Sequence, residues 1–178
     1  MRRLLLLLLL ISYPCLMEAQ TIYLKPSEAL KIIFHDSKEI TQEEKVLNDV
    51  QKQEIEKKIG YKLSKTAWKF YVAKSGAKID GYAVIDSEVG KTEPITFLTT
   101  IHPDGSVKEV EILVYREPQG SEVHEKRFLK QYEKKKSTDP IRVGQDITNI
   151  SGATISAHSV SNGVKRDLIL WDLFYGSK

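Results

Sequence analysis

Ser151-Gly152-Ala153-Thr154 runs directly into Ile155-Ser156 and an amphipathic stretch, which puts a hydroxyl where a glycine-opened turn meets the start of a helix. The first turn of a helix leaves backbone N–H groups without intrahelical partners and carries a partial positive charge. Such a terminus suits a phosphate, and a glycine beside it lets the backbone come close to the anion. The plainer reading of the same residues is a helix cap. Downstream, Val160, Val164, Leu168 and Trp171 recur at steps of three or four and supply an apolar stripe that seats the helix on a sheet. Thr154 then stands at the rim of that sheet.

A second loop carries carboxylates and a glycine. Tyr115-Arg116-Glu117-Pro118-Gln119-Gly120-Ser121-Glu122 closes an alternating strand and is expected to open a helix through Phe128, Gln131 and Tyr132. A third stretch, Asp80-Gly81-Tyr82-Ala83-Val84, precedes Gly90-Lys91 and the apolar run from Ile95 to Ile101. Hydrolytic chemistry has no support. The four histidines are scattered, and Ser151 lacks the strand-to-elbow pattern of a hydrolase serine. His158 falls one turn after Thr154, where an exposed helix face is expected. His102 and His124 lie in a turn and near a helix start, so the histidines give no metal set.

The elements that must position these residues read as follows. Pro26 begins a helix with Ala29, Leu30, Ile33 and Phe34 on one face, and the charged residues His35 to Lys38 end it. Thr41 with Glu44 predicts a capping box and a second helix to about Lys58, stopped by Gly60. From Trp68 the period becomes two: Trp68, Phe70 and Val72 alternate with Lys69, Tyr71 and Ala73. Ser75-Gly76 turns the chain into a strand from Ile79 to Val89. Ile95 to Ile101 is the next, and His102-Pro103-Asp104-Gly105 turns into a fourth, with Val110, Ile112 and Val114 on one side against Glu109 and Glu111. Sequential hairpins build an antiparallel sheet, so the fold class is α+β, an antiparallel sheet packed with helices.

The N-terminus reads as a secretory signal peptide: Met1-Arg2-Arg3, an aliphatic run from Leu4 to Ile11, then Ser12-Tyr13-Pro14 and a small residue at Ala19. The run is far shorter than the ~20 residues that cross a bilayer. Ser12-Tyr13-Pro14 makes a poor lipobox before Cys15, so cleavage after Ala19 is expected over a lipoprotein. Residues 1–19 are then the signal, and 20–178 one domain, with N-terminal helices over 20–66 and a core over 67–175. Cleavage removes Cys15, the single cysteine, and with it any disulfide, zinc or iron–sulfur ligation by thiolate. It also removes two arginines and Glu18, lowering the formal charge from +3 to +2, which is no nucleic-acid charge. Lys134-Lys135-Lys136 beside Ser137-Thr138-Asp139-Pro140 reads as a solvated helix end.

Taken together and in order, the stretches from Trp68 to Trp171 resemble the FMN-binding domain family, which includes the flavin subunits of sodium- and ferredoxin-coupled respiratory complexes. The resemblance implies FMN as cofactor, carried through a phosphoester on the threonine matching Thr154, with the bond made by a separate flavin transferase. It implies a cofactor cleft between the loop of Glu117, Gly120, Ser121 and Glu122 and the turn of Ser151, Gly152, Ala153, Thr154, Ile155 and Ser156. The loop is similar to the family's Glu-x-Pro-Gly, with one residue inserted between Pro118 and Gly120. Thr148 stands six residues before Thr154, where the family has an aspartate, and Asp146 is two residues further back. Three functions follow: an exported, membrane-associated electron carrier exchanging electrons with redox partner proteins in an extracytoplasmic chain, a non-flavinylated exported binding module on the same fold, or an FMN-dependent reductase of a small external substrate. Nothing resembles a nicotinamide or second-substrate site, which favours the carrier.

Overall fold

A computed structural model describes residues 20–176. The signal-peptide reading of residues 1–19 lies outside the described residues. Twelve elements follow one another: β1 (Thr21–Ile22), α1 (Pro26–Ile33), β2 (Glu39–Val46), α2 (Asp49–Ile59), β3 (Ala67–Ser75), β4 (Lys78–Val89), β5 (Pro94–Ile101), β6 (Val107–Tyr115), a 3₁₀ turn (Ser121–His124), α3 (Lys126–Leu129), a second 3₁₀ turn (Lys130–Tyr132) and α4 (Thr154–Tyr175). The strands form one six-stranded antiparallel sheet in the order β1-β6-β5-β4-β3-β2. This is the α+β architecture expected.

Alternation in the hairpin strands divides the core into two layers. Trp68, Phe70, Val72, Tyr82, Val84, Ile95, Phe97 and Ile112 point to the face covered by α2 and α4, where Ile55, Val160, Val164 and Leu168 complete the layer. Ala73, Ala83, Leu98 and Leu113 point to the other, where α1 lays down Ala29, Leu30 and Phe34. The small side chains of Ala73 and Ala83 belong to the layer that α1 covers. α4 comes close to β5 over Gly163, where an added Cβ would fall 2.2 Å from Phe97 Cζ.

Three local expectations are corrected. Residues 39–46 form strand β2, paired from Glu39↔Lys74 to Val46↔Ala67, so Thr41 and Glu44 make no capping box and 20–66 holds strands as well as helices. The cap lies seven residues on: Asn48 Oδ1 accepts from Gln51 N at 2.9 Å and Gln51 Oε1 from Asn48 N at 3.0 Å. Glu, Gln and Lys favour helix, but backbone pairing to β3 overrides that weak preference. Tyr175 of α4 reinforces it, donating to Glu43 at 2.9 Å with Lys45 over its ring.

Residues 121–132 are not one helix but two 3₁₀ turns around a four-residue α3, broken where Glu125 is extended at φ −63°, ψ 130°. Phe128 and Tyr132 still pack together, edge to face at 5.6 Å. Val114, finally, does not share a face with Val110 and Ile112. The β5–β6 register slips between Thr96↔Val114 and Phe97↔Ile112, which leaves Leu113 as an extra residue and sends Val114 to the α1 side. A bulge inverts the alternation beyond it. Its consequence is functional, because Tyr115 then points toward α4.

Candidate cofactor site

Tyr115 is buried, and its hydroxyl donates to Gln119 O at 2.5 Å and meets Ser156 Oγ at 2.8 Å. One phenol thus ties the end of β6, the loop after it and the first turn of α4. Gly120 sits against this tie at φ +87°, and a Cβ there would fall 2.8 Å from both Ser156 Oγ and Tyr115 Oη. Only glycine combines that left-handed conformation with that approach.

Glu117 is also buried, and its carboxylate accepts from Thr92 N at 2.6 Å, Glu93 N at 2.9 Å and Thr92 Oγ1 at 3.0 Å. Burial pushes its pKa up, but these hydrogen bonds outweigh it and hold the carboxyl below its ordinary value. Glu117 therefore binds the β4–β5 hairpin loop to the cleft and carries Lys91 to its edge.

On the opposite wall, Ala153 N donates to Ile150 O at 3.2 Å and closes a turn with Gly152 at φ +85°. α4 starts from Ala153 with no side-chain cap. Alanine at that position forfeits about 1 kcal/mol relative to Ser, Thr, Asp or Asn and leaves the first-turn N–H groups open. Thr154 is the first residue of the helix and exposed, and its Oγ1 accepts from Asn149 Nδ2 at 2.8 Å.

Between the walls lies a cleft of 460 Å³ lined by Lys91, Glu117, Pro118, Gln119, Gly120, Gly152, Ala153, Thr154, Ile155 and Ser156. The volume lies within the range of small-molecule and cofactor sites. The uncapped helix start offers it N–H donors, Thr154 a positioned hydroxyl, and Lys91 the only cation of the lining. These residues fit a phosphate-bearing cofactor.

Of the residues singled out from sequence, Glu117, Gly120, Gly152, Ala153, Thr154, Ile155 and Ser156 come together here. Ser151 and Thr148 turn to a neighbouring hollow with Gln131 and Phe128. Glu122 lies beneath the Gly152 turn, its Oε1 3.3 Å from where a Gly152 Cβ would be and its Oε2 buried without a hydrogen bond. Ser121 opens the 3₁₀ turn beside it. Asp146 is committed elsewhere: it accepts from Lys135 Nζ at 2.9 Å, Arg142 N at 2.8 Å and Ile141 N at 3.1 Å, and cannot take the place of a carboxylate at position 148. Tyr115, Asn149 and Lys91 were not singled out as site residues. Gly90-Lys91 enters the sequence reading only as the link between two strands, and the other two act through partners that the fold alone brings near.

Residues 90–168 match the FMN-binding domain family. The chain carries a domain of that family. FMN is accordingly its cofactor. Over 117 residues, 61% of this chain, it is 30% identical to one subunit of the proton-translocating ferredoxin:NAD(+) oxidoreductase complex of Clostridium ljungdahlii, and it spans 63% of that relative's length. Its fold is similar to that of Shewanella oneidensis NqrC, with a TM-score of 0.58 at 15% identity, covering 83% of this chain and 87% of that one.

Proposed function

We propose that this FMN-binding domain is an exported electron carrier whose FMN is attached through the Thr154 hydroxyl by a flavin transferase, and which exchanges electrons with redox partner proteins at the outer face of a membrane. The observation that carries it is the placement of Thr154: exposed, oriented by Asn149, and on an uncapped helix start opening into the cleft. When bound, FMN supplies one- and two-electron exchange. The chain's own residues hold and orient it. In attachment, Thr154 Oγ1 would form the new P–O bond to the FMN phosphorus of an FAD donor as the pyrophosphate P–O bond breaks and AMP leaves, the hydroxyl proton passing to the transferase, and the first-turn amides would balance the phosphate charge. The Tyr115 tie keeps loop and helix at fixed separation. Export rests on the arginine-led aliphatic run from Leu4 to Ile11. A covalent bond then prevents loss of a cofactor that cannot be replaced outside the cytoplasm.

Thr148 supports a second reading, FMN held in the same cleft without the bond, because threonine cannot supply the charge of a carboxylate beside the acceptor. One experiment separates the two. The full chain is produced with an active flavin transferase, and intact mass and visible absorbance are recorded. The covalent reading expects the FMN mass increment in the wild type and its loss in Thr154→Ala. A yellow protein of unmodified mass selects the second reading, and a colourless one of unmodified mass overturns both.

A further inference from the structure

A second concave site lies along α4, away from the cofactor cleft. It is a 250 Å³ pocket between the end of α2, the loop 140–145 and the middle of α4, and its lining includes Lys58, Arg142 and Lys165 but no carboxylate. Asn162 and Lys165 stand about 12 and 16 Å along the helix axis from Thr154, at ~1.5 Å rise per residue. The two sites therefore do not overlap.

The lining cations give this pocket a positive character. Lys58 and Arg142 form no ion pair among the described residues. Lys165 is partly buried and spends its ammonium on the carbonyls of Ser137 and Asp139 rather than on a carboxylate. Burial lowers the Lys165 pKa, Asp139 and Asp146 pull it back up, and the nearby charges of Arg142 and Lys58 act with burial in lowering it. Neither carboxylate belongs to the lining: Asp139 accepts from Lys136 N at 2.7 Å, and Asp146 accepts from Lys135 and from the backbone amides of Ile141 and Arg142.

The backbone is held in an unfavourable form to place Arg142. Ile141 has φ +49°, a left-handed conformation that a β-branched residue rarely adopts. The Asp146 carboxylate, accepting from Ile141 N and Arg142 N, secures that turn. The lining adds the side-chain amides of Gln145 and Asn162 as further donors.

The geometry points to a binding site for a small oxyanion carrying two negative charges, a phosphate monoester or a dicarboxylate. A guanidinium presents paired donors to either, with two ammonium groups supplying the remaining charge. The size decides against a nucleotide, since 250 Å³ falls below the range of drug-sized ligands. This site is independent of FMN attachment, and its test is made on Thr154→Ala protein without flavin.

Potassium phosphate and potassium succinate are titrated separately at constant ionic strength against chloride, with amide chemical shifts read by NMR. Expected are saturable shifts confined to Arg142, Gln145, Asn162 and Lys165, half-complete near about 1 mM. Arg142→Gln and Lys58→Gln, both at exposed positions, should each weaken the fit at least tenfold while leaving the rest of the spectrum unchanged. Saturation by phosphate alone assigns a phosphate ester, by succinate alone a dicarboxylate, and by both an oxyanion site without finer choice. Shifts that grow linearly to about 100 mM, spread over Lys134 to Lys136, or persist undiminished in Arg142→Gln overturn the assignment.

Discussion

Thr154 was legible because its chemistry is local: a hydroxyl, a glycine turn and a helix start are all written within six residues. What positions it was not. Asn149 orients the hydroxyl from across the turn, and Tyr115 reaches Ser156 only because the Leu113 bulge turns it toward α4. No periodicity announces a bulge. Tyr115→Phe removes two hydrogen bonds while keeping the ring, and leaves Ser156 Oγ buried with less to bond. It should cost about 1–3 kcal/mol in urea denaturation, and, if the tie sets the cleft width, the variant should lose non-covalently added FMN faster in dialysis. Retention equal to wild type would make the tie purely structural. At position 148 the backbone is already fixed, its N–H and carbonyl both bound by the Gln131 side chain at 2.7 and 3.2 Å, and the side chain is exposed. Thr148→Asp should therefore leave stability within about 0.5 kcal/mol of wild type. If a carboxylate there assists transfer, it raises the flavinylated fraction by mass spectrometry. An unchanged fraction would show that this position does not limit attachment.

At the scale of elements, the strands with a period of two were placed correctly apart from the face of Val114, and a strand was missed where the residues prefer helix. β2 carries Glu39, Glu43, Glu44 and Lys45 because it is the outer strand of the sheet, and charges there discourage pairing with another chain. Its strand identity comes from β3, a partner more than twenty residues away, so no local reading finds it. The helix that carries Thr154 shows the opposite case, where pattern and packing agree. Gly163 interrupts its helix propensity, and the reason lies in β5: the Phe97 ring occupies the space of a side chain. Gly163→Ala gains up to about 1 kcal/mol of helix propensity against about 1–3 kcal/mol of overpacking. The net expectation is a lower denaturation midpoint. A raised midpoint would mean that Phe97 moves aside freely, and that α4 is not held at the depth that places Thr154.

Across the whole molecule, α4 connects the cofactor cleft to a buried charge cluster that joins it to the sheet. Arg166 Nη2 lies 2.8 Å from Asp86 Oδ2, Asp86 also receives Lys65 Nζ at 2.6 Å and Trp68 Nε1 at 2.7 Å, and Arg166 pairs with Glu88. Asp167 beside it is fully buried, accepting from Thr99 Oγ1 at 2.7 Å, with its other oxygen unbonded. The two aspartates respond to pH in opposite senses. Burial raises the pKa of Asp86, but Arg166 and Lys65 outweigh it, so the net shift is downward; its contribution to stability is present above the unfolded carboxylate pKa and lost as pH falls through the lower folded value. Burial is the largest influence on Asp167 too, and the Asp86 charge adds to it, holding the carboxyl well above its ordinary range against the pull of Arg166. Its folded form stays protonated where the unfolded chain has ionised, so it costs stability as pH rises from about 4. Asp167→Asn keeps the shape and the Thr99 contact while removing that ionisation. The variant should be more stable than wild type at pH 7, and the difference should shrink toward zero as urea denaturation is repeated down to about pH 4. A difference that is constant across that range would mean that Asp167 ionises in the folded protein as it does in the unfolded chain, the charge of Arg166 then offsetting its burial.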